Sequence, residues 1–196
     1  MQEAITIIRA EHRTLAAVLQ GLLSIVDSLE RQSVKPDFGL LFAMLAYIDE
    51  FPDRFHHPKE DQYLFRQLRL RAPDAVGLLD ALETEHKQNG ELMAGLRRAL
   101  KRFEQHPGKP EARENFRKLV KQYAEFHWSH MRLEEEQVFP LAEARLNAQD
   151  WADINAAFRS NSDPLIGSGA KDHYQDMLSK IVSRAPAPIG VGARWS

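Results

Sequence analysis

Cysteine is missing from all 196 residues, which excludes disulfides, thiolate zinc sites and cysteine-ligated clusters. Long apolar runs are missing too. Nothing approaches the roughly 18 consecutive apolar residues of a membrane helix. There is no excess of basic charge: the formal net charge is −2 and the pI is near 6.5. The chain therefore offers no electrostatic footprint for nucleic acid. Its one basic cluster, RRALKR at 97–102, reads as the last turns of a helix, where cations suit the macrodipole. The start, MQEAITIIRAEH, has no basic lead followed by an apolar run. No secretory signal is expected, and the expected location is cytoplasmic.

What is present is helical periodicity. Ile5, Ile8, Leu15, Leu19, Leu22, Val26 and Leu29 recur at gaps of three and four, with His12 filling one gap. That is the inward stripe of a packed helix. SVKPD at 33–37 interrupts it, with Asp37 placed to cap the next helix. A second pattern runs from about 38 to 70 and stops at RAPDA. A third carries Leu79, Leu82, His86, Asn89, Met93, Leu96, Leu100 and Phe103 and ends at QHPGKP. The fourth carries Phe116, Leu119, Tyr123, His127, His130, Glu134, Val138 and Leu141.

Four long helices with short connections predict an all-α, up-down-up-down four-helix bundle over residues 1–146. Residues 147–196 read as a C-terminal extension. It holds a short helix near 150–158, a loop at 160–169, a last helix near 170–184 and a Pro/Gly-rich tail.

Histidines and glutamates stand where leucines belong. Imidazoles and carboxylates in a core are costly unless they are paired or ligate a metal. Their spacing carries more information than their identity. His12 and His86 lie 74 residues apart, as do His56 and His130, and Glu60 and Glu134. The residue before the first member repeats as well, as Glu11 and Glu85. His12 and His56 stand 22 residues either side of a connection centred near 34. His86 and His130 stand equally far from one centred near 108. Residues equidistant from a turn between antiparallel helices share a level, so each pair should face. Glu60 comes level with His86. The arrangement suits two cations, one at His12 and His56 and the other at His86 and His130, with Glu60 and Glu134 reaching across.

One segment needs comment, because FHHPKED at 55–61 puts Pro58 between His56 and Glu60. Either a helix starts there or a helix runs through and tolerates the proline. The second copy, HMRLE at 130–134, has the same His-x3-Glu spacing without proline. The repeat therefore predicts a continuous helix, kinked at Pro58 and Pro52.

These residues resemble the hemerythrin-like, or HHE cation-binding, family over about residues 1–145. The match takes in His12, His56-x3-Glu60, His86 and His130-x3-Glu134, with YLF at 63–65 and EEQVFP at 135–140 beside them. The resemblance implies a four-helix bundle around two iron ions, bridged by oxide or hydroxide; manganese and zinc rank behind iron. Oxygen-carrying members place another histidine four residues after the one on the third helix, where this chain has Gly90, and an aspartate at the position of Glu134. The four-His, two-Glu set looks more like bacterial di-iron proteins linked to nitric oxide and iron–sulfur repair, but their cysteine-bearing segment has no counterpart here.

The function expected is binding or sensing of O2 or nitric oxide, without turnover. The alternatives are a di-iron oxidoreductase acting on nitric oxide or peroxide with an external electron donor, iron–sulfur repair, or a bundle that metal merely staples. No nucleic-acid or membrane partner is expected.

Other residues have plainer expectations. His127 is either a fifth histidine ligand, a second-layer donor, or a core residue bonded to Tyr47 or Tyr123. His57, about 100° round the helix from His56, reads as a surface histidine, and His106 and His173 as structural. Of Glu134, Glu135 and Glu136, only Glu134 is expected to point inward. Tyr47, Tyr63 and Tyr123 suit packing as well as a role at the site. A ferritin-like scheme would use Asp53-x-x-His56 and Glu83-x-x-His86, but it strands His12 and His130.

Overall fold

The computed structural model describes residues 2–31, 35–51 and 55–159. Every element among them is helical, and none is a strand. The long elements are α1 (Glu3–Arg31), α2 (Phe38–Phe51), α5 (Val76–Gln105) and α6 (Pro110–Leu133). Between α2 and α5 lie α3 (His57–Lys59), a π-helical segment (Glu60–Phe65) and α4 (Arg66–Arg71). A second π-helical segment (Glu134–Val138) leads from α6 into α7 (Phe139–Arg145), and α8 (Ala148–Arg159) follows. The expected helix near 170–184, the tail and Pro52 lie outside the described residues.

Local chemistry sets the boundaries. Asp37 caps α2, its Oδ1 accepting from the Leu40 amide at 3.0 Å. Pro110 occupies the first turn of α6, where its missing N–H costs nothing. Asn147 Oδ1 accepts from the Gln149 and Asp150 amides at 2.9 and 3.0 Å, while Asp150 Oδ2 accepts from the Asn147 amide at 3.0 Å. This reciprocal cap starts α8. Arg71 then grips Asp150 through two hydrogen bonds of 2.9 and 3.1 Å, tying α4 to α8. The Asp150 carboxyl is held below its usual range mainly by Arg71.

Packing closes a ring: α1 lies against α2 and α6, and α5 lies against the same two helices. α8 packs on α1 and on the first π-helical segment. The interior divides into two apolar clusters. One is built from Leu15 to Leu29 of α1 with α2, Met93 to Phe103 and Phe116 to Tyr123. The other gathers Ala4, Ile5, Ile8, Leu64, Phe65, Leu79, Leu82, Phe139 and α8. Between them, on α1, on the stretch from residue 55, and on α5 and α6 with the turn that follows, the buried positions turn polar: Glu11 and His12; His56, His57 and Glu60; His86 and Asn89; His127, His130 and Glu134.

Residues 55–71 form one helical stretch through Pro58. Its distortion is a widening into π geometry rather than a simple proline kink. The second half, with no proline between His130 and Glu134, widens at the equivalent place. Both glutamates open a π-helical segment, a feature often found at functional sites.

The cluster away from α8 contains Phe116, which is fully buried and faces Phe103 with ring centroids 6.2 Å apart. Phe116→Ala should lower unfolding stability by about 3–5 kcal/mol, read as a shift of the urea midpoint at unchanged slope.

Candidate metal centre

The polar layer is a cage of four imidazoles and two carboxylates, each less than a tenth exposed. α1 presents His12, α5 presents His86, and α6 presents His130. His56 and Glu60 come from the stretch that carries Pro58, and Glu134 from the head of the second π-helical segment. His12 faces His56 with Nε2 atoms 3.2 Å apart, and His86 faces His130 with Nε2 atoms 3.0 Å apart.

The outer ring nitrogens decide the protonation of the inner ones. His12 Nδ1 donates to Glu135 at 2.9 Å, and His56 Nδ1 to Glu11 at 2.7 Å. His86 Nδ1 donates to Asp61 at 2.8 Å, and His130 Nδ1 to Glu85 at 2.7 Å. A carboxylate only accepts, so the hydrogen sits on Nδ1. In the neutral ring Nε2 then carries a lone pair. With both rings of a pair neutral, two lone pairs would converge, an arrangement that calls for a cation between them, a proton or a metal ion. Two nitrogens about 2.1 Å from one cation, at right angles to each other, lie about 3.0 Å apart. The donor set and spacing fit a metal.

The carboxylates fit as well. Glu60 is 3.3 Å from His56 Nε2 and 3.7 Å from His86 Nε2. Glu134 is 3.3 Å from His12 Nε2 and 3.4 Å from His130 Nε2. Each carboxylate thus spans both histidine pairs. All four of their oxygens are buried, and none has hydrogen-bond geometry to any group. His12, His56, Glu60 and Glu134 bring ligand atoms within 4.8 Å of one another, and so do Glu60, His86, His130 and Glu134. Two cation positions that share the glutamates are available.

Electrostatics within the cage are opposed. Burial, then repulsion from Glu134, pushes the Glu60 carboxyl well above its usual range. Burial works the same way on Glu134, but His130 and His12 outweigh it and hold that carboxyl well below. His130 is pushed up to about 10, because Glu134 and Glu85 overcome its burial. Protons here do the work that bound cations would do, so loading a metal displaces them and its affinity rises with pH.

The 74-residue repeat extends past the cage. Glu11 and Glu85 are its outermost pair, Asp61 and Glu135 another. Phe65 and Phe139 are a third, stacking against His86 and His12 at 5.8 and 6.0 Å. Glu135 corrects one expectation: it turns back to hold His12 instead of facing solvent alone. The repeat itself was the signal that could have found it, since both halves place an acid there.

His57 corrects another. It is buried, and its ring stacks on His86 with centroids 4.2 Å apart and planes 14° apart. With His86 and His130 it forms a third set of ligand atoms within 4.8 Å. His127, also buried, is bonded to Asn89 rather than to Tyr47 or Tyr123: Asn89 Oδ1 accepts from His127 Nε2 at 2.9 Å and from the Tyr123 hydroxyl at 2.7 Å. That bond puts the His127 hydrogen on Nε2, the reverse of the cage histidines, and none of the close ligand sets includes it. Burial lowers its pKa to about 3, which keeps it neutral. Tyr47 is buried and Tyr63 partly exposed. Glu83 ion-pairs with Arg69 at 2.7 Å and so turns away from the ferritin-like scheme; Asp53 lies outside the described residues.

Two substitutions separate the layers of this site. Glu85→Gln should weaken metal binding by about 10–100-fold, as loss of an outer partner does, measured by competition with a chelator. Glu60→Gln should abolish tight binding at one position or both. It should leave the melting temperature of metal-free protein no lower, because it replaces a carboxyl that burial already keeps protonated.

Comparison with known proteins agrees with this geometry. Residues 3–142 match the family described as hemerythrin HHE cation binding domain. Searches of curated proteins and of solved structures gave no match. Since the matched stretch takes in all six cage residues and most of the chain, the chain belongs to the hemerythrin HHE cation-binding family.

Proposed function

We propose that this chain is a non-haem di-iron protein that binds or senses O2 or nitric oxide. His12 and His56 would hold one iron and His86 and His130 the other, with Glu60 and Glu134 available to both. The carrying observation is the convergence of paired Nε2 lone pairs on two buried carboxylates whose oxygens have no hydrogen bonds. Imidazole and carboxylate without sulfur suit iron, manganese or zinc; the family resemblance puts iron first.

Bound iron supplies open positions for a diatomic ligand, and the chain supplies everything else. The outer carboxylates fix ring orientation and keep each Nε2 free to ligate. Phe65 and Phe139 exclude water on two sides, through the stacks described above. His57 offers a third imidazole beside His86 and His130, in place of the histidine that oxygen carriers have at the position of Gly90. The closed ring of α1, α2, α5 and α6 is taken as an up-down-up-down four-helix bundle over residues 1–146, with residues 147–196 as its extension. Cytoplasmic residence and a cellular electron donor complete the proposal. Reversible binding is favoured over turnover because the imidazoles and carboxylates of the cage are all committed to the metals or to one another. The carboxylates beside them, Glu11, Asp61, Glu85 and Glu135, are engaged in orienting the rings.

Anaerobically purified protein should contain two irons per chain. It should develop an oxygen-dependent optical band that reverses when O2 is removed, or a nitric oxide band under NO. Less than one metal per chain would overturn the centre. Multiple-turnover consumption of nitric oxide or peroxide with a reductant would overturn the binding role in favour of an oxidoreductase. A colourless zinc form indifferent to both gases would leave only a structural staple.

A further inference from the structure

The two halves of the cage are related residue by residue, which makes the departures from that relation informative. Adding 74 to the number of His57 gives Met131, and adding 74 to those of Ala16 and Arg13 gives Gly90 and Lys87. On the His86 side the place next to the cage is filled by the His57 ring, stacked at 4.2 Å. On the His12 side Met131 takes that place, and the surface is indented. A pocket of about 310 Å³ lies between α1 and α6, bounded by His12, Arg13, Ala16, Met131, Arg132 and Glu135.

Its inner wall is therefore a cage histidine and a buried thioether. Its rim is formed by two guanidinium groups and the carboxylates of Glu135 and its neighbour Glu136. Equal numbers of opposite charges leave no net field to steer an ion. The apolar Ala16 and Met131 lie below them. Such a passage selects by size rather than charge, and the thioether is unbranched and flexible enough to swing aside.

We propose that small uncharged molecules reach the centre from the His12 side through this α1–α6 pocket, with Met131 as the gate, while His57 closes the opposite side. This rests on the metal-centre reading above and adds the route, the gating residue and the size class admitted. Met131 acts on passage alone, so its replacement changes entry and exit together and leaves equilibrium affinity in place.

The test is stopped-flow association of nitric oxide with iron-loaded full-length protein under anaerobic conditions, with iron content measured on every sample. Met131→Trp should slow association by about tenfold or more at unchanged iron content, and Met131→Ala should speed it. Ala16→Phe fills the same pocket from α1 without replacing a cage residue. It should slow association to a similar extent and keeps the test valid should the tryptophan disturb packing. Gly90→Phe, at the matching place on the opposite side, should leave the rate unchanged; a Cβ there meets nothing within 4 Å. Wild-type rates in both Met131→Trp and Ala16→Phe would overturn the route, as would equal slowing by Gly90→Phe. Wild-type protein that takes up no iron would overturn the metal-centre reading itself, a result distinct from loaded protein with unaffected rates.

Discussion

The structure is organised around two carboxylates in a place where carboxylates are expensive. Removing an ion from water into a protein interior costs several kcal/mol even after relaxation. Glu60 and Glu134 are both fully buried, in the middle of the ring of helices rather than at its ends. Protonation or nearby positive charge must offset that cost, and the four Nε2 atoms define where a bound cation would sit. The division of the apolar interior into two clusters follows directly. A single continuous core would have to pass through the layer that these charges occupy. The clusters above and below it supply the folding stability that the layer itself does not.

Repetition makes so demanding a layer achievable. One arrangement, a histidine on one helix facing a His-x3-Glu on the next, is used twice at a spacing of 74 residues. Each acid that orients a ring has a counterpart, and so has each phenylalanine packed behind a ring. Each half also holds the other. His12 is oriented by Glu135 and His86 by Asp61, partners 123 and 25 residues away. The cage therefore cannot form from one helix pair alone; both hairpins must close before any ring nitrogen is correctly aimed. Site assembly and bundle closure are the same event.

Much of this was legible in the sequence, and the failures have physical causes. Helical periodicity placed the inward stripes and exposed the histidines that interrupt them. Equal distances from the connections matched His12 to His56 and His86 to His130. The Asp37 cap and the short helix that became α8 also followed from local chemistry. His57 and Glu135 did not: His57 was placed by the 100° step of an ordinary α-helix, and Glu135 by its membership of a run of three acids, which ordinarily faces solvent. Each lies in or next to a π-helical turn, where the i→i+5 pattern widens the helix and consecutive residues step round it by less. Neighbours in sequence can then serve one site, as His56 and His57 do, and Glu134 and Glu135. No residue propensity marks such a turn. Pro58 drew attention to one of the two, yet its counterpart widens without a proline there. His127 was placed on the inward stripe with its role open between ligand, second-layer donor and core residue, and its partner was missed, because Asn89 looks like any polar interruption of a stripe until its carbonyl is seen to serve two donors.

A repeat this complete would treat two cations alike, so any difference between them must come from residues the repeat does not cover. These residues are not scattered. Asn89, with Tyr123 and His127 bonded to it, has Leu15 as its counterpart in the other half. His57, whose ring is within 5.6 Å of that of His130 and 6.4 Å of that of His127, has Met131. The additional imidazole of His57 and the polar chain built on Asn89 thus collect round His86 and His130, while apolar Met131 and Leu15 stand at the counterpart positions of His57 and Asn89 in the other half. Burial pushes the added imidazoles down in pKa, so they bring donor atoms and dipoles to that side without bringing charge. One half of the cage is reinforced and the other is left yielding, within a frame whose ligands are the same on both sides. Inequivalence of the two positions is therefore a property of the surroundings and not of the ligand set, and it can be altered without touching any of the six residues that form the cage.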